Sequence, residues 1–339
     1  MKLKTIVCLL LVAVLSLGLM ACSGGGKTDD GTVKIGVLLP TQREIRWVLD
    51  RENFEAAGEE QGVSVSVQIA DNDAAKQQNQ CENLISQGID ILIIAPVDGE
   101  SAKNIVEIAH AEDIPVIAYD RPVLNCEVDL YVTFDQYVIG QLMGEYVAEH
   151  LEAGNIVVLS GDPQDPTCVP LKQGAMDAIK AKVDSGDYVI VSEQECKDWS
   201  NSEAQKHVEN ALTNNDNKID AVIAPNDGTA GGAIQALAAQ GLAGITIVTG
   251  QDSEPDAIKR IIEGTQSMTV FFDVRDMARA AVKAAIQILN DERVETNGDV
   301  TNNGLIDVPT LGFPAKAVTK DNYQSLVIDS GYMSEDDIA

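Results

Sequence analysis

The sequence has little positive charge and few aromatic rings. Its 24 Lys and Arg residues are outnumbered by 53 Asp and Glu residues, the formal net charge is −29 at pH 7, and aromatic residues make up 4% of the chain. Such an acidic protein is repelled by the phosphates of nucleic acids and by anionic lipid surfaces, so we expect no nucleic-acid partner. With so few aromatics, the core is expected to consist of Val, Ile, Leu and Ala.

Motifs for catalysis, cofactors and metals are missing as well. No glycine-rich dinucleotide fingerprint, Walker A motif or nucleophile elbow follows a predicted strand. The only His residues, His110, His150 and His207, fall in predicted helices, and the Cys residues are not spaced like a zinc site. The Asn/Asp-rich run 214–217 lacks the spaced ligands of an EF-hand loop. We therefore predict no metal, no cofactor and no enzymatic activity.

A single long apolar run stands at the N-terminus. Two lysines precede residues 6–19, and Leu-Met-Ala then leads to Cys22. A basic start, a short apolar stretch and a small residue before the cleavage point are typical of a signal peptide, and a Cys directly after that point resembles the lipobox of bacterial lipoproteins. We predict a signal peptide at 1–21, lipid attachment to Cys22 and a lipid-anchored linker at 22–32. An ordinary secretory signal with an incidental Cys is the alternative.

Four Cys residues remain outside this segment. Cys168 and Cys196 each follow a predicted strand of the same lobe, so their placement allows a disulfide between them in an exported protein. Cys81 lies on a predicted helix whose apolar face includes Leu84, so a buried free thiol is expected there.

Apolar runs alternate with helical patterns from Val33 to Phe272. This alternation predicts an α/β fold of doubly wound parallel sheets, and the continuous apolar character of the strands indicates burial on both faces. The pattern is too long for one small sheet, so we predict two lobes joined by a multi-crossover hinge. The first lobe is assigned residues 33–136 plus 271–305, and the second lobe residues 137–270 plus 306–339.

Polar and indole side chains collect where the predicted strands end. Ligands of open α/β sheets bind at the carboxyl ends of the strands. Arg forks, Asn and Asp pair with hydroxyl groups, while indole rings cover the C–H face of a sugar. The pattern predicts a monosaccharide site, whose candidate residues are Arg46, Trp47, Asp120, Arg121, Asp165, Thr167, Trp199, Asn226, Asp227 and Asp252.

Several of these side chains also have a purely structural interpretation. Trp47 could pack inward from a helix, and Asp120 with Arg121 could form a local ion pair at a strand end. Asn226 or Asp227 could cap the helix that follows, which would leave only one of the two for the ligand. Asp135, after another strand, could cap a helix in the same way. The prediction therefore depends on their joint placement.

These segments are similar to those of a known family. The chain resembles type I periplasmic binding proteins of ABC sugar transporters, and most closely the D-xylose-binding group, in motifs that span most of the sequence: Val33-Lys-Ile-Gly36, Arg46-Trp47, Ala118-Tyr-Asp-Arg121, Phe134-Asp135, Asn226-Asp227, Gly250-Gln-Asp252 and Asn303-Gly-Leu305. The resemblance implies a monomer that closes two lobes around D-xylose and delivers it to an ABC permease. It also places Arg46, Trp47, Asp120, Arg121, Asp165, Trp199, Asn226 and Asp252 around the sugar.

Two positions depart from that family pattern. Phe272 stands where relatives carry Lys, and Pro166-Thr167 stands where they carry Asn-Asn. Both positions belong to the expected site, so another pentose or a hexose remains open. Other functions also remain open: a glycoside hydrolase that uses Asp165 and Asp252 as a carboxylate pair, or a receptor that presents the bound sugar to a signalling partner. A repressor of the same fold would need a helix-turn-helix before the first strand.

Overall fold

Two parallel β-sheets organise the residues that the structure, a computed structural model, describes: 31–296 and 298–339. The first sheet has seven strands in the spatial order β11-β12-β5-β4-β3-β1-β2. Their bounds are β1 Lys34–Leu39, β2 Ser64–Ile69, β3 Ile91–Ile94, β4 Val116–Tyr119, β5 Leu130–Phe134, β11 Val300–Asn302 and β12 Asp307–Phe313. All its pairs are parallel except the edge pair of β11 with β12.

The second sheet has four parallel strands in the order β7-β6-β8-β9. They are β6 Gly154–Ser160, β7 Tyr188–Glu195, β8 Ala221–Ile223 and β9 Ile247–Val248. A separate antiparallel pair, β10 Thr269–Phe271 with β13 Lys316–Val318, continues this layer, because the amide of Val270 donates to the carbonyl of Gly250 at 2.9 Å.

Nine α-helices lie in the described residues and cover both sheets. They are α1 Ile45–Gln61, α2 Ala74–Ser86, α3 Lys103–His110, α4 Gln136–His150, α5 Cys168–Ser185, α6 Asn201–Asn214, α7 Asp227–Ala238, α8 Pro255–Glu263 and α9 Val274–Leu289. Strands β3, β4 and β5 are buried along their whole length, as expected for strands covered on both faces. The predicted doubly wound α/β fold is confirmed.

Each sheet has a helix layer on each face. In the first lobe, Phe54 of α1 and Met277 of α9 pack in one core, whereas Leu84 of α2 and Ile105 of α3 pack in another. In the second lobe, α4 and α5 share one core and α6 and α7 the other. Helices α4 and α5 cross closely, since a Cβ at Gly140 would overlap the backbone of α5.

Within the described ranges, the chain crosses from one lobe to the other three times: after β5, after β10 and after β12. Each crossover carries a phenylalanine, and these three rings make contact. Phe134 stacks on Phe272 with a centroid separation of 4.0 Å, and Phe313 meets Phe134 at 6.3 Å. The aromatic cluster therefore joins the three crossovers at the hinge.

One sequence-based assignment needs correction, and one possibility that the sequence left open is not realised. The predicted division after residue 305 put residues 307–313 in the second lobe. Strand β12 pairs with β5 in the first sheet, so these residues belong to the first lobe. The segment contains a Pro and a Gly and alternates exposed with buried positions, so its sequence does not indicate which strand it pairs with. Cys168 and Cys196 are free thiols and form no disulfide, because each is buried inside its own helix–strand core.

Two further expectations concern single residues and the N-terminus. Cys81 is a buried free thiol, as predicted. The predicted signal peptide at 1–21 and the lipid site at Cys22 lie outside the described residues. No helix in the described part of the chain combines the length and the apolarity needed to cross a bilayer.

Candidate ligand-binding site

A cleft with about 350 Å³ of empty space, part of it open to solvent, lies between the carboxyl ends of the two sheets. Nine of the predicted residues line it: Arg46, Trp47, Asp120, Arg121, Asp165, Thr167, Trp199, Asn226 and Asp252. The fold thus brings together, at the ends of its strands, side chains that are up to 206 residues apart in sequence.

Arg46 is fixed by ion pairs and by aromatic rings. It lies in the first turn of α1, where its Nε atom contacts Asp50 at 2.9 Å and its Nη1 atom contacts Asp120 at 3.0 Å. Its guanidinium carbon is 4.3 Å from the centroid of Trp47 and 5.4 Å from that of Phe272. Only the remaining nitrogen, Nη2, is buried without a partner, so the surroundings aim one donor of the fork at the cavity.

Arg121 connects the two lobes. Its Nε atom lies 2.7 Å from Asp165 Oδ2, and its Nη1 atom donates to the carbonyl of Pro96 at 3.3 Å. Asp165 also accepts hydrogen bonds from the amide and hydroxyl of Thr167, at 3.0 and 2.6 Å. Burial raises the pKa of Asp165, and the charge of Arg121 opposes that shift. Asp120 and Arg121, for which a local ion pair was the alternative interpretation, instead pair with Arg46 and Asp165.

The two Trp residues of the chain both border the cavity, one from each lobe. Trp47 is 3% exposed and has two guanidiniums over its ring, those of Arg46 and Arg121. Trp199 is 8% exposed, packs against Gly161 so closely that a Cβ there would overlap the indole, and buries its Nε1 atom without a partner. Trp47 thus helps to hold the two guanidinium groups in place, while the indole N–H of Trp199 is available to donate a hydrogen bond.

The Asn226-Asp227 pair is divided between the cavity and the core. Asn226 caps α7, with its Oδ1 atom accepting from the amide of Thr229 at 2.9 Å, and it also lines the cavity. Asp227 is fully buried behind it and accepts from Thr269 Oγ1 at 2.9 Å and from Gln266 Nε2 at 2.7 Å. Only Asn226 is therefore placed for a ligand, and Asp227 is a structural residue.

Asp135 and Phe272 also lie outside the cavity lining. Asp135 caps α4 by accepting from the amide of Val138 at 3.1 Å, which confirms its structural interpretation. Phe272, predicted as a site residue, is 1% exposed and packs behind Arg46 in the phenylalanine cluster of the hinge. Its ring is placed to influence a ligand through Arg46, whose guanidinium carbon is 5.4 Å away.

Three cavity residues were missed by the sequence analysis: Glu44, Gln136 and Gln251. Each is next to, or two positions from, a residue that the strand ends had pointed to. Glu44 precedes α1, Gln136 is the first residue of α4, and Gln251 lies before Asp252. Their position near the other site residues was the signal, but the uncharged amides of Gln136 and Gln251 do not stand out in one sequence.

Unpaired polar atoms are concentrated in this cavity. Among the described residues, six lining side chains bury a nitrogen or oxygen that has no hydrogen-bond or ion-pair partner: Glu44 Oε2, Arg46 Nη2, Gln136 Oε1, Trp199 Nε1, Gln251 Oε1 and Asp252 Oδ1. A buried group left unpaired costs about 1–3 kcal/mol. A small ligand carrying several hydroxyl groups would satisfy these four acceptors and two donors together.

Backbone strain is also found at the cavity. Asp120, Trp199 and Asp252 adopt positive φ angles of 60°, 53° and 99°, in a region that residues other than glycine rarely occupy. Such conformations cost about 1–3 kcal/mol each and persist where the surrounding structure imposes them. Asp120 directly follows β4, Trp199 ends the 3₁₀ turn Lys197–Trp199, Asp252 lies four residues after β9, and all three line the cavity.

Two α/β lobes, three crossovers and a polar cavity between strand ends are the arrangement of a protein that binds a small hydrophilic ligand. The chain belongs to the periplasmic binding protein family, since the model of the periplasmic binding protein domain matches residues 35–293. The predicted resemblance is confirmed. Members of this family are substrate-binding components of transport systems, so the protein is not an enzyme.

Individual relatives support this assignment. The chain is 40% identical over 307 residues to the D-xylose-binding periplasmic protein of Escherichia coli (strain K12), covering 90% of this chain and 92% of that one. It is 39% identical to the protein of the same name from Haemophilus influenzae, with 90% and 92% covered. A solved ABC transporter solute-binding protein from Clostridium phytofermentans, with bound β-D-glucose, has a TM-score of 0.84 and 33% identity, covering 90% of this chain and all of that one.

Proposed function

We propose that the protein binds one monosaccharide, with D-xylose as the first candidate, in the cavity between its lobes and delivers it to an ABC importer. The observation that carries the proposal is the set of six unpaired polar atoms around one small cavity. The polyhydroxylated ring of a sugar supplies donors and acceptors at its rim and a C–H face for Trp199. The 40% identity to a D-xylose-binding protein supports the pentose.

D-Glucose is the second candidate. Two solved structures with 33% identity to this chain, from Chloroflexus aurantiacus and Clostridium phytofermentans, hold D-glucose, and their TM-scores are 0.85 and 0.84. Phe272 and Thr167 depart from the D-xylose-binding pattern, and Thr167 lines the cavity. A change in the lining residues alters which hydroxyl pattern the cavity accepts.

Capture occurs by closure of the lobes over the sugar. Polar contacts already bridge the lobes, among them Arg121 with Asp165, Arg43 Nη1 with the carbonyl of Asp198 at 3.0 Å, and Gln164 Nε2 with Asp98 at 3.1 Å. A sugar that contacts both lobes binds the closed form better than the open form, so it shifts the population towards closure. A permease can then distinguish the loaded protein by its closed shape.

Isothermal titration calorimetry with D-xylose, L-arabinose, D-ribose, D-glucose and D-galactose tests the ligand. We expect D-xylose or D-glucose to bind with micromolar or tighter affinity and to change the fluorescence of the two Trp residues. Asp252→Ala should weaken binding by more than about tenfold, because its hydroxyl partners would lose a buried acceptor. Asp256→Ala, an exposed change on α8, is the matched control. Failure of all five sugars to bind would refute the proposal.

The location and the assembly form a separate part of the proposal. The protein is placed outside the cytoplasm, held to the membrane by lipid on Cys22, and acts as a monomer. The signal pattern before Cys22 and the periplasmic relatives support this placement. Mass spectrometry of the mature N-terminus should show diacylglyceryl-Cys22, and Cys22→Ser should move the protein from the membrane fraction to the soluble fraction. Light scattering that reports a dimer would contradict the monomer.

A further inference from the structure

The cavity holds more acidic than basic side chains. Two arginines, Arg46 and Arg121, line it together with four carboxyl groups. Arg46 is already paired with Asp120 and with Asp50, a fully buried residue behind the lining, and Arg121 is paired with Asp165. Both arginines of the cavity lining therefore already have a carboxylate partner.

Two lining carboxyl groups, those of Asp252 and Glu44, form no ion pair within the described residues. Burial raises the pKa of Glu44, and the charges of Arg121, Arg43 and Arg46 oppose that shift without reaching ion-pair distance. Among residues 31–296 and 298–339, no Lys, Arg or His nitrogen lies within 4.0 Å of either one. Each has an oxygen that is buried and has no hydrogen-bond partner. An ionised carboxylate in a dry cavity is strongly unfavourable unless it is paired.

Asp252 is the more enclosed of the two. It is 6% exposed, and the charged groups that face it are Arg46, Glu254, Asp120 and Glu44. Burial raises the pKa of Asp252 well above its ordinary value, Arg46 opposes the rise, and the three carboxyl groups add to it. At this end of the cavity, the Arg46 guanidinium therefore faces four carboxyl groups, those of Asp252, Glu254, Asp120 and Glu44.

The residue at position 272 adds no positive charge to this end of the cavity. Phe272 packs its ring on Phe134 and lies 5.4 Å from the Arg46 guanidinium carbon, so the hinge side of the cavity is apolar. A further cation can instead be carried by the ligand, because an ammonium group beside a buried carboxylate forms a charge-assisted hydrogen bond.

We propose that the cavity binds an aldose carrying one ammonium group, a protonated amino sugar, more tightly than the neutral parent sugar, with the ammonium group against Asp252 or Glu44. This inference rests on the proposed function and narrows its ligand class. By the same reasoning, a sugar acid is excluded, since its carboxylate would add a third unpaired negative charge. The hydroxyl groups of the amino sugar still engage Arg46 Nη2 and Trp199 Nε1, as those of the neutral sugar do.

Calorimetry on matched sugar pairs tests the inference. D-Glucosamine and 6-amino-6-deoxy-D-glucose are each compared with D-glucose, D-galactosamine with D-galactose, and 2-amino-2-deoxy-D-xylose with D-xylose, at a pH where the amines are protonated. We expect at least one amino sugar to bind about tenfold or more tighter than its own parent, and D-glucuronate not to bind. If no amino sugar exceeds its parent, the inference is overturned, while binding of the neutral parents would leave the proposed function intact.

Variants locate the responsible carboxylate. Asp252→Asn and Glu44→Gln keep the side-chain shape and remove one charge each, and thermal unfolding checks that both are folded. We expect one of them to bring the ratio of amino-sugar to parent affinity back to about one. Asp256→Asn removes an exposed charge on α8 and should keep the wild-type ratio. A ratio that stays at the wild-type value in both cavity variants overturns the inference.

Discussion

Replacing Arg121 by Ala should weaken sugar binding far more than it weakens the fold. Arg121 and Asp165 belong to different lobes and are paired at 2.7 Å, with side-chain exposures of 6% and 2%. Removing one partner of a buried pair costs about 3–5 kcal/mol, because the other charge stays buried and unpaired. That penalty applies only to the closed form, since Asp165 regains water when the lobes separate.

The expected loss is therefore a loss of affinity. About 3 kcal/mol corresponds to an increase of about a hundredfold in Kd. Titration calorimetry with the tightest-binding sugar measures it, and thermal unfolding of the unliganded variant should shift little. Burial already raises the pKa of Asp165, and loss of Arg121 raises it further. Protonation removes the unpaired charge, so the deficit of the variant should shrink as the pH falls from about 7 to about 5.

A double-mutant cycle separates the pair from other effects. Asp165→Asn keeps a side chain that can bond to Thr167 and removes the negative charge, so Arg121→Ala should cost less affinity in that background than in the wild type. Arg121 also lies 5.1 Å from the Trp47 ring, and this contact is lost in both backgrounds. A wild-type affinity, within about threefold, for Arg121→Ala would show that the pair does not hold the closed form together.

Two further predictions concern the surroundings of the cavity. Gly161→Ala puts a methyl group into the indole of Trp199, and such overpacking costs about 1–3 kcal/mol, so sugar affinity and Trp fluorescence should both change; Gly312→Ala, with open space around its Cβ position, should leave them as in the wild type. Asp227→Asn tests pH dependence: burial raises the pKa of Asp227 to about 7, so its contribution to stability is full below about pH 4 and is lost as the pH rises through 7. Urea unfolding at several pH values should show that the free energy of unfolding of Asp227→Asn falls less between about pH 5 and 7 than that of the wild type. An equal fall in both proteins would contradict the raised pKa of Asp227.

The sequence was informative where function depends on the ends of strands. Continuous apolar runs located the strands, and the rule that ligands bind at their carboxyl ends led to nine of the lining residues. Charged and indole side chains such as Arg46 and Trp199 are conspicuous at such positions. Gln136 and Gln251 are not, because an amide is common in any polar loop.

The remaining errors concern contacts between distant parts of the chain. Nothing in the local pattern of β12 shows that it returns to the first sheet beside β5, since strand pairing is a long-range choice. Likewise, the spacing of Cys168 and Cys196 allowed a disulfide, but each thiol is enclosed in a separate core. Phe272 was assigned to the ligand by its place in the motif, although its ring faces the hinge.

Most of the few Trp and Phe residues lie at the cavity and at the crossovers. Both Trp residues border the cavity, and three of the five Phe residues meet at the crossovers, whereas most of the sheet cores consist of aliphatic side chains. Closely packed aliphatic cores make each lobe a stiff body. The Phe134–Phe272 stack at the crossovers lies directly behind Arg46. If the lobes open at these crossovers as proposed, the opening would disturb the rings that contact this guanidinium, so hinge motion and the position of Arg46 would be coupled.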